Sequence, residues 1–111
     1  MSFNVVATEP FERKFKRLSK KYRSLKTDLL PLIDSLAENP VQGTPLGKDC
    51  YKIRLAISSK GKGKSGGARL ITYVKISNEN IFLLAIYDKS EKENISDKEL
   101  KELLKHVYLK Y

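Results

Sequence analysis

The hydrophobic positions of this chain change period about halfway along it, from one that suits helices to one that suits strands. Phe3 to Ala7 is a short apolar run with adjacent valines, Val5 and Val6, and predicts a strand. Thr8 then offers a helix cap, Glu9 places an acid in the first turn, and Pro10 sits where its missing N–H costs nothing. Phe11, Phe15, Leu18 and Tyr22 follow at helical spacing and predict one apolar stripe turned toward a core. A second helix is expected from about Ser24 or Asp28 to Glu38, with Leu29, Ile33, Leu36 and Ala37 continuing the stripe. With Asp28 as its cap, Pro31 falls in the first turn, where a missing donor has no partner to lose. Asn39-Pro40 ends this helix, and Val41 to Lys48, with Gly43, Pro45 and Gly47, reads as a loop.

From Tyr51 onward the period is two. Tyr51, Ile53, Leu55 and Ile57 alternate with Lys52, Arg54, Ala56 and Ser58, the pattern of a half-buried strand with one basic face. Arg69 to Ser77 and Ile81 to Asp88 are nearly continuous in apolar residues and predict central strands, joined by a tight hairpin at Asn78-Glu79-Asn80. Ser96, with Glu99 three residues on, forms a capping box before a last helix carrying Leu100, Leu103, Leu104 and Val107. The order β-α-α-β-β-β-α predicts an α+β fold. Its antiparallel-dominated sheet of about four strands packs against two N-terminal helices and one C-terminal helix. The 111 residues show no internal repeat and no linker, so a single domain over residues 1–111 is expected.

Charge sharpens this picture. The formal net charge is +9 although 41% of the residues are hydrophobic, which points to a folded chain with a polyanionic partner. Between residues 50 and 89, Lys52, Arg54, Lys60, Lys62, Lys64, Arg69, Lys75 and Lys89 stand against only Glu79 and Asp88, so two thirds of the excess lies on the sheet and its connecting loop. The basic residues of the first helix, from Arg13 to Lys21, read instead as a solvated face. The loop Lys60-Gly61-Lys62-Gly63-Lys64-Ser65-Gly66-Gly67 contains Gly-Lys-Ser, but the glycine a P-loop requires five residues earlier is Ser58, and the loop joins two strands. What remains is three lysines on a mobile loop whose glycines allow close backbone approach to phosphate. Cys50, the single cysteine, excludes an internal disulfide and reads as a buried strand residue in a reducing compartment. One cysteine and one histidine, His106, are too few for a usual metal site, so no metal or other cofactor is expected. The opening residues lack the basic and long apolar stretches of a signal peptide, and no apolar run has membrane length. A cytoplasmic location without membrane association is expected.

Three stretches then carry a family resemblance: Asp49-Cys50-Tyr51-Lys52-Ile53-Arg54-Leu55, Gly67-Ala68-Arg69-Leu70-Ile71-Thr72-Tyr73 and Ile86-Tyr87-Asp88-Lys89-Ser90-Glu91. Together they resemble the RelE/ParE toxin superfamily. The glycine-lysine loop followed by Leu-Leu-Ala-Ile-Tyr-Asp-Lys-Ser-Glu is most similar to its HigB-like branch. The resemblance spans essentially the whole chain. It implies the toxin of a type II toxin–antitoxin system, a ribosome-dependent mRNA interferase that inhibits translation. Such a toxin cuts the bound codon by attack of a ribose 2′-hydroxyl on the adjacent phosphate, without metal, leaving a 2′,3′-cyclic phosphate and a 5′-hydroxyl. The implied partners are the ribosome, its mRNA, and a cognate antitoxin that is acidic or carries a helix-turn-helix.

That chemistry needs a proton acceptor for the 2′-OH, cations for the transition state and an acid for the leaving oxygen. The candidates are Arg69, Lys52, Arg54, Tyr87 and Lys89. Arg69 holds the position of the family's transition-state arginine, and a guanidinium engages two phosphate oxygens at once. Lys52 is a candidate base or phosphate ligand, and Tyr87 and Lys89 are candidate acids or further charge. Lys60, Lys62, Lys64, Lys75 and Tyr73 are expected to bind RNA. Glu91 is either a second candidate base or a salt-bridge partner, and His106 reads as structural. The chain departs from RelE itself at two positions, with Ser90 in place of a second arginine and Ser96 in place of a tyrosine. Two rival functions share these features: a ParE-like inhibitor of DNA gyrase that cuts no RNA, and an RNA-binding module without catalysis.

Overall fold

The computed structural model describes residues 2–111. A five-stranded sheet runs in the order β1 (Asn4–Ala7), β5 (Asn80–Asp88), β4 (Ala68–Lys75), β3 (Cys50–Leu55), β2 (Thr44–Gly47). Only the β1–β5 pair is parallel. Helices α1 (Glu9–Lys21) and α2 (Leu25–Glu38) cover one face, where Phe11, Leu18, Leu25, Leu29 and Leu36 pack on Ile53, Leu70, Val74, Ile81 and Ile86. Helix α3 (Asp97–Lys110) covers part of the other, where Leu100, Leu104 and Val107 meet Ile71, Phe82 and Leu84. Thr8 caps α1 by accepting the Phe11 N–H, and its own hydroxyl donates to the Leu83 carbonyl at 2.8 Å. One side chain thus starts the helix and fixes it to the central strand.

The expected α+β architecture is present, with differences that have local causes. The segment expected as a loop before Lys48 forms β2, a fifth strand. Pro45 and Gly47 are compatible with pairing there because the strand lies at the sheet edge and is irregular between those two residues. Helix α2 begins at Leu25, so Pro31 lies inside it and not in its first turn. Thr27 and Pro31 are both exposed, so water can serve the carbonyl deprived of its helical donor. Asp28 is no cap. Its carboxylate accepts the Ser58 N–H at 2.8 Å and the Ser58 and Ser24 hydroxyls at 2.5 and 2.7 Å. That grip turns the chain into a 3₁₀ turn at Ser58–Lys60, so β3 stops at Leu55, short of the expected end at Ser58.

Strand β5 contains one residue more than its neighbour. Ile71 pairs with Ala85 while Thr72 pairs with Leu83, so Leu84 has no partner on β4 and forms a bulge. Before the bulge, Ile81 and Leu83 face α1 and α2; after it, Ile86 does, and the parity of the strand has reversed. Tyr87 therefore joins the α3 side with Phe82 and Leu84. Asp88 points the other way and is 1% exposed. Its carboxylate accepts from the Tyr22 hydroxyl at 2.5 Å, Lys60 Nζ at 2.7 Å, the Ser90 hydroxyl at 2.8 Å and the Ser90 N–H at 3.0 Å.

Burial alone would raise the Asp88 pKa, but the donors from Lys60, Tyr22 and Ser90 outweigh it and hold the carboxyl well below the usual range. A depressed folded-state pKa means that ionised Asp88 stabilises the fold above the ordinary carboxylate value. That contribution is lost as pH falls through the folded-state value. Asp88→Asn is expected to cost roughly 3 kcal/mol near neutral pH, toward the low end for removing one partner of a buried pair. The deficit should shrink as pH falls below about 4. Urea unfolding of both proteins at pH 7 and at pH 3 measures it, and an equal deficit at the two pH values would contradict this account of Asp88.

Candidate functional site

Three strands place charge on one line. Arg54 on β3 pairs with Arg69 on β4, and Arg69 pairs with Tyr87 on β5, all on the sheet face that α3 only partly covers. Lys52 lies two residues along β3 on the same face, opposite Thr44 of β2. The segment leaving β5 returns over this surface with Lys89, Glu93 and Asn94. The result is an open groove of about 410 Å³ in which four cations, Lys52, Arg54, Arg69 and Lys89, face one carboxylate, Glu93. Lys52 Nζ donates to Asn94 Oδ1 at 3.1 Å, which fixes the ammonium at the groove wall.

Arg69 is the most constrained of the four. It is 4% exposed, and its guanidinium donates to the carbonyls of Lys64 at 2.9 Å, Ala68 at 3.1 Å and Ser65 at 3.2 Å. Burial lowers its pKa, Tyr87 opposes the shift and the Arg54 charge adds to it. A guanidinium keeps its charge at neutral pH nonetheless. The approach of this strand to β3 depends on Gly67, where a Cβ would sit 2.1 Å from the Leu55 carbonyl oxygen. The loop expected to be mobile is therefore held at three points: Asp28 on Ser58, Asp88 on Lys60 and Arg69 on Lys64 and Ser65.

Tyr87 lies behind the groove, buried, and among the described residues its hydroxyl has no hydrogen-bond partner. Burial raises the phenol pKa; Arg69 opposes the shift and Glu99 adds to it, so the group keeps its proton. Lys92 lies over the Tyr87 ring at 5.5 Å and pairs with Glu99.

The other residues singled out from sequence lie elsewhere. Lys60 points through the opposite face to Asp88, and Lys62 and Lys64 are exposed on the loop. Tyr73 stacks on Phe82 at 5.8 Å and meets the edge of Tyr108 at 6.1 Å, beneath α3. Lys75, six residues along β4 from Arg69, stands roughly 20 Å away at strand spacing and pairs with Asn80. Glu91 turns to α1, where it pairs with Lys21 at 2.9 Å and raises the pKa of that lysine. Cys50 is buried, and burial together with Asp49 pushes its thiol up to about 12. His106 belongs to a second, larger hollow of about 660 Å³ between α1 and α3. Arg13, Arg17, Glu99 and Glu102 give that hollow mixed charge, so it lacks the convergence of cations seen in the groove.

Ser90 and Ser96 have structural duties: Ser90 completes the shell around Asp88, and Ser96 caps α3 in the expected box with Glu99. Sequence reasoning missed Thr44, Glu93 and Asn94. Thr44 is on the strand taken for a loop, and the other two lie in an aperiodic segment that gives no facing signal.

A family model described as the RelE toxin of the RelE/RelB toxin–antitoxin system matches residues 11–109. The chain belongs to the RelE toxin family. Its fold is similar to that of a mutant E. coli RelE toxin in the free state, with a TM-score of 0.65 at 20% identity over 96% of this chain and 99% of that one. The toxin–antitoxin complex RelBE2 from Mycobacterium tuberculosis contains a chain similar at TM-score 0.59 and 17% identity, covering 79% of this chain and 99% of that one. E. coli RelE in complex with an antitoxin RelBc peptide matches at TM-score 0.51 and 20% identity, over 92% and 94%. At such identities the structures establish the shared fold, and the family match establishes a toxin of a toxin–antitoxin system. Among the described residues no helix is long and apolar enough to cross a membrane.

Because Arg69 holds the loop to the sheet, Arg69→Ala in this RelE family member should loosen residues 61–67 as well as remove a cation. A loss of about 1.5–3 kcal/mol is expected, the range for hydrogen bonds to a charged group. Faster proteolysis within the loop should accompany it. Thermal unfolding with limited trypsin digestion checks both, and an unchanged digestion pattern would show that the loop holds without Arg69.

Proposed function

We propose that this protein is a ribosome-dependent mRNA endoribonuclease, inhibiting translation until a cognate antitoxin covers its groove. The observation that carries this reading is the convergence of Lys52, Arg54, Arg69 and Lys89 on one groove. Like charges held together at a surface cost stability, and an RNA phosphodiester whose charge grows in the transition state repays that cost. Attack by a 2′-hydroxyl on the adjacent phosphate requires such stabilisation, and Arg54 and Lys89 have donors free to give it. Tyr87 keeps its proton, but its hydroxyl is buried and outside the groove lining, so the proton for the leaving oxygen comes from a groove ammonium. The HigB-like character of the glycine-lysine loop and the RelE family match both agree with an mRNA interferase. The antitoxin would be an acidic segment laid across this groove, as the net charge of +9 favours, and the pair would meet in the cytoplasm beside the ribosome.

Arg54 is exposed and Lys52 half-buried, so both can be truncated without opening the core. Expression of the wild-type chain should stop growth and cut ribosome-bound mRNA. Arg54→Ala and Lys52→Ala should each slow cleavage by roughly 10²- to 10³-fold, the scale for losing one transition-state donor, while leaving the unfolding temperature unchanged. Growth arrest with intact mRNA and a DNA-damage response would instead identify a gyrase inhibitor. No growth arrest at all would leave an RNA-binding module.

A further inference from the structure

We infer that Glu93 is the general base of the groove. This inference rests on the RNA-cleaving reading above and assigns a role to a residue to which that reading gives none. Cleavage needs a group that can take a proton at neutral pH, and the groove walls offer few. Arg54 and Arg69 are guanidinium cations with no free lone pair. Lys52 is occupied as a donor to Asn94 Oδ1, and Lys89 is a second ammonium among like charges. The amide of Asn94 and the hydroxyl of Thr44 are too weakly basic. Glu93 remains as the one carboxylate among these lining residues.

The surroundings of Glu93 agree with that role. It is exposed, so a ribose can reach it, and among the described residues it makes no ion pair although four cations share its groove. The nearby acid that ion-pairs, Glu91, is turned away by Lys21 on α1. Two residues along, Glu93 stands beside Asn94, whose bond to Lys52 draws this segment to β3. A carboxylate that merely balanced charge would be expected to close on one of the cations; one that must accept a proton from substrate has to stay open.

The step balances within the groove. Glu93 takes the proton of the ribose 2′-hydroxyl as its oxygen bonds to phosphorus. The bond from phosphorus to the 5′-oxygen breaks, and that oxygen takes a proton from a groove ammonium, leaving the cyclic phosphate and a 5′-hydroxyl. Proton exchange with water resets both groups.

Purified full-length protein, ribosomes programmed with an mRNA, and a pH–rate profile test the assignment. Glu93→Gln should lower the cleavage rate by roughly 10²- to 10⁴-fold, the usual contribution of a general base, while folding and ribosome binding stay as in the wild type. The acidic limb of the wild-type profile should vanish in Glu93→Gln, and Glu93→Asp should restore part of the rate and the limb together. Wild-type cleavage with an equally fast Glu93→Gln of the same pH profile overturns the assignment and leaves the RNA-cleaving reading standing. A wild-type protein inert on programmed ribosomes overturns that reading and the assignment with it.

Discussion

The bulge at Leu84 is the constraint on which the rest of this molecule depends. One extra residue in β5 costs a place in the hydrogen-bond ladder, but Leu84 is fully buried against α3, which offsets the loss. Without it, the alternation begun at Ile81 and Leu83 would carry Tyr87 to the side of α1 and α2 and Asp88 to the groove. The carboxylate would then neutralise Arg69 and Arg54, and the phenol would be lost behind the helices. With it, two adjacent residues serve opposite faces. Asp88 locks the end of α1 through Tyr22 and the start of the loop through Lys60, while Tyr87 lies in line with Arg69 and Arg54.

The distribution of charge follows from this division. On the α1 and α2 side, Lys60 and Lys21 find Asp88 and Glu91. On the other side four cations share a groove with the single carboxylate of Glu93, and the carbonyls of Lys64, Ala68 and Ser65 moderate Arg69. Those carbonyls hold the guanidinium in place without cancelling its charge, which a carboxylate would do. A buried arginine tied to backbone oxygen is thus oriented and still available as a positive field, the preorganisation that phosphate chemistry needs.

How much of this was legible in the sequence varied with the kind of signal. Periodicity located all three helices and the three long strands, because burial imposes it. It also put Lys52 and Arg54 on one face, and the structure keeps them there. Of the two starts it offered for α2, the structure takes Ser24, and Asp28 is engaged by Ser58 instead; periodicity failed at β2, which exists because β3 offers a partner to Pro45 and its neighbours. The bulge was invisible, since Phe82 to Ile86 is apolar whichever face each residue takes. Charge clustering named Lys60 and Lys75 with the groove cations because composition carries no direction; the fold sends one to Asp88 and the other to the far end of β4. Glu91 was open as a base or a salt-bridge partner for the same reason, and the fold pairs it with Lys21.

Ser90 and Ser96, the two positions at which the resemblance to RelE breaks, both have structural duties here. Ser90 binds Asp88 through its hydroxyl and its N–H, and Ser96 closes the capping box of α3. The segment between them is therefore anchored at both ends by short polar side chains, and neither end is free to reach substrate. Five residues span the gap, and the bond from Asn94 to Lys52 pulls their middle toward β3. A chain held this way has one part that can present side chains to the groove, around Glu93 and Asn94, with Lys89 just before the first anchor. The groups gathered on this RelE fold are consequently those its own loop geometry can hold.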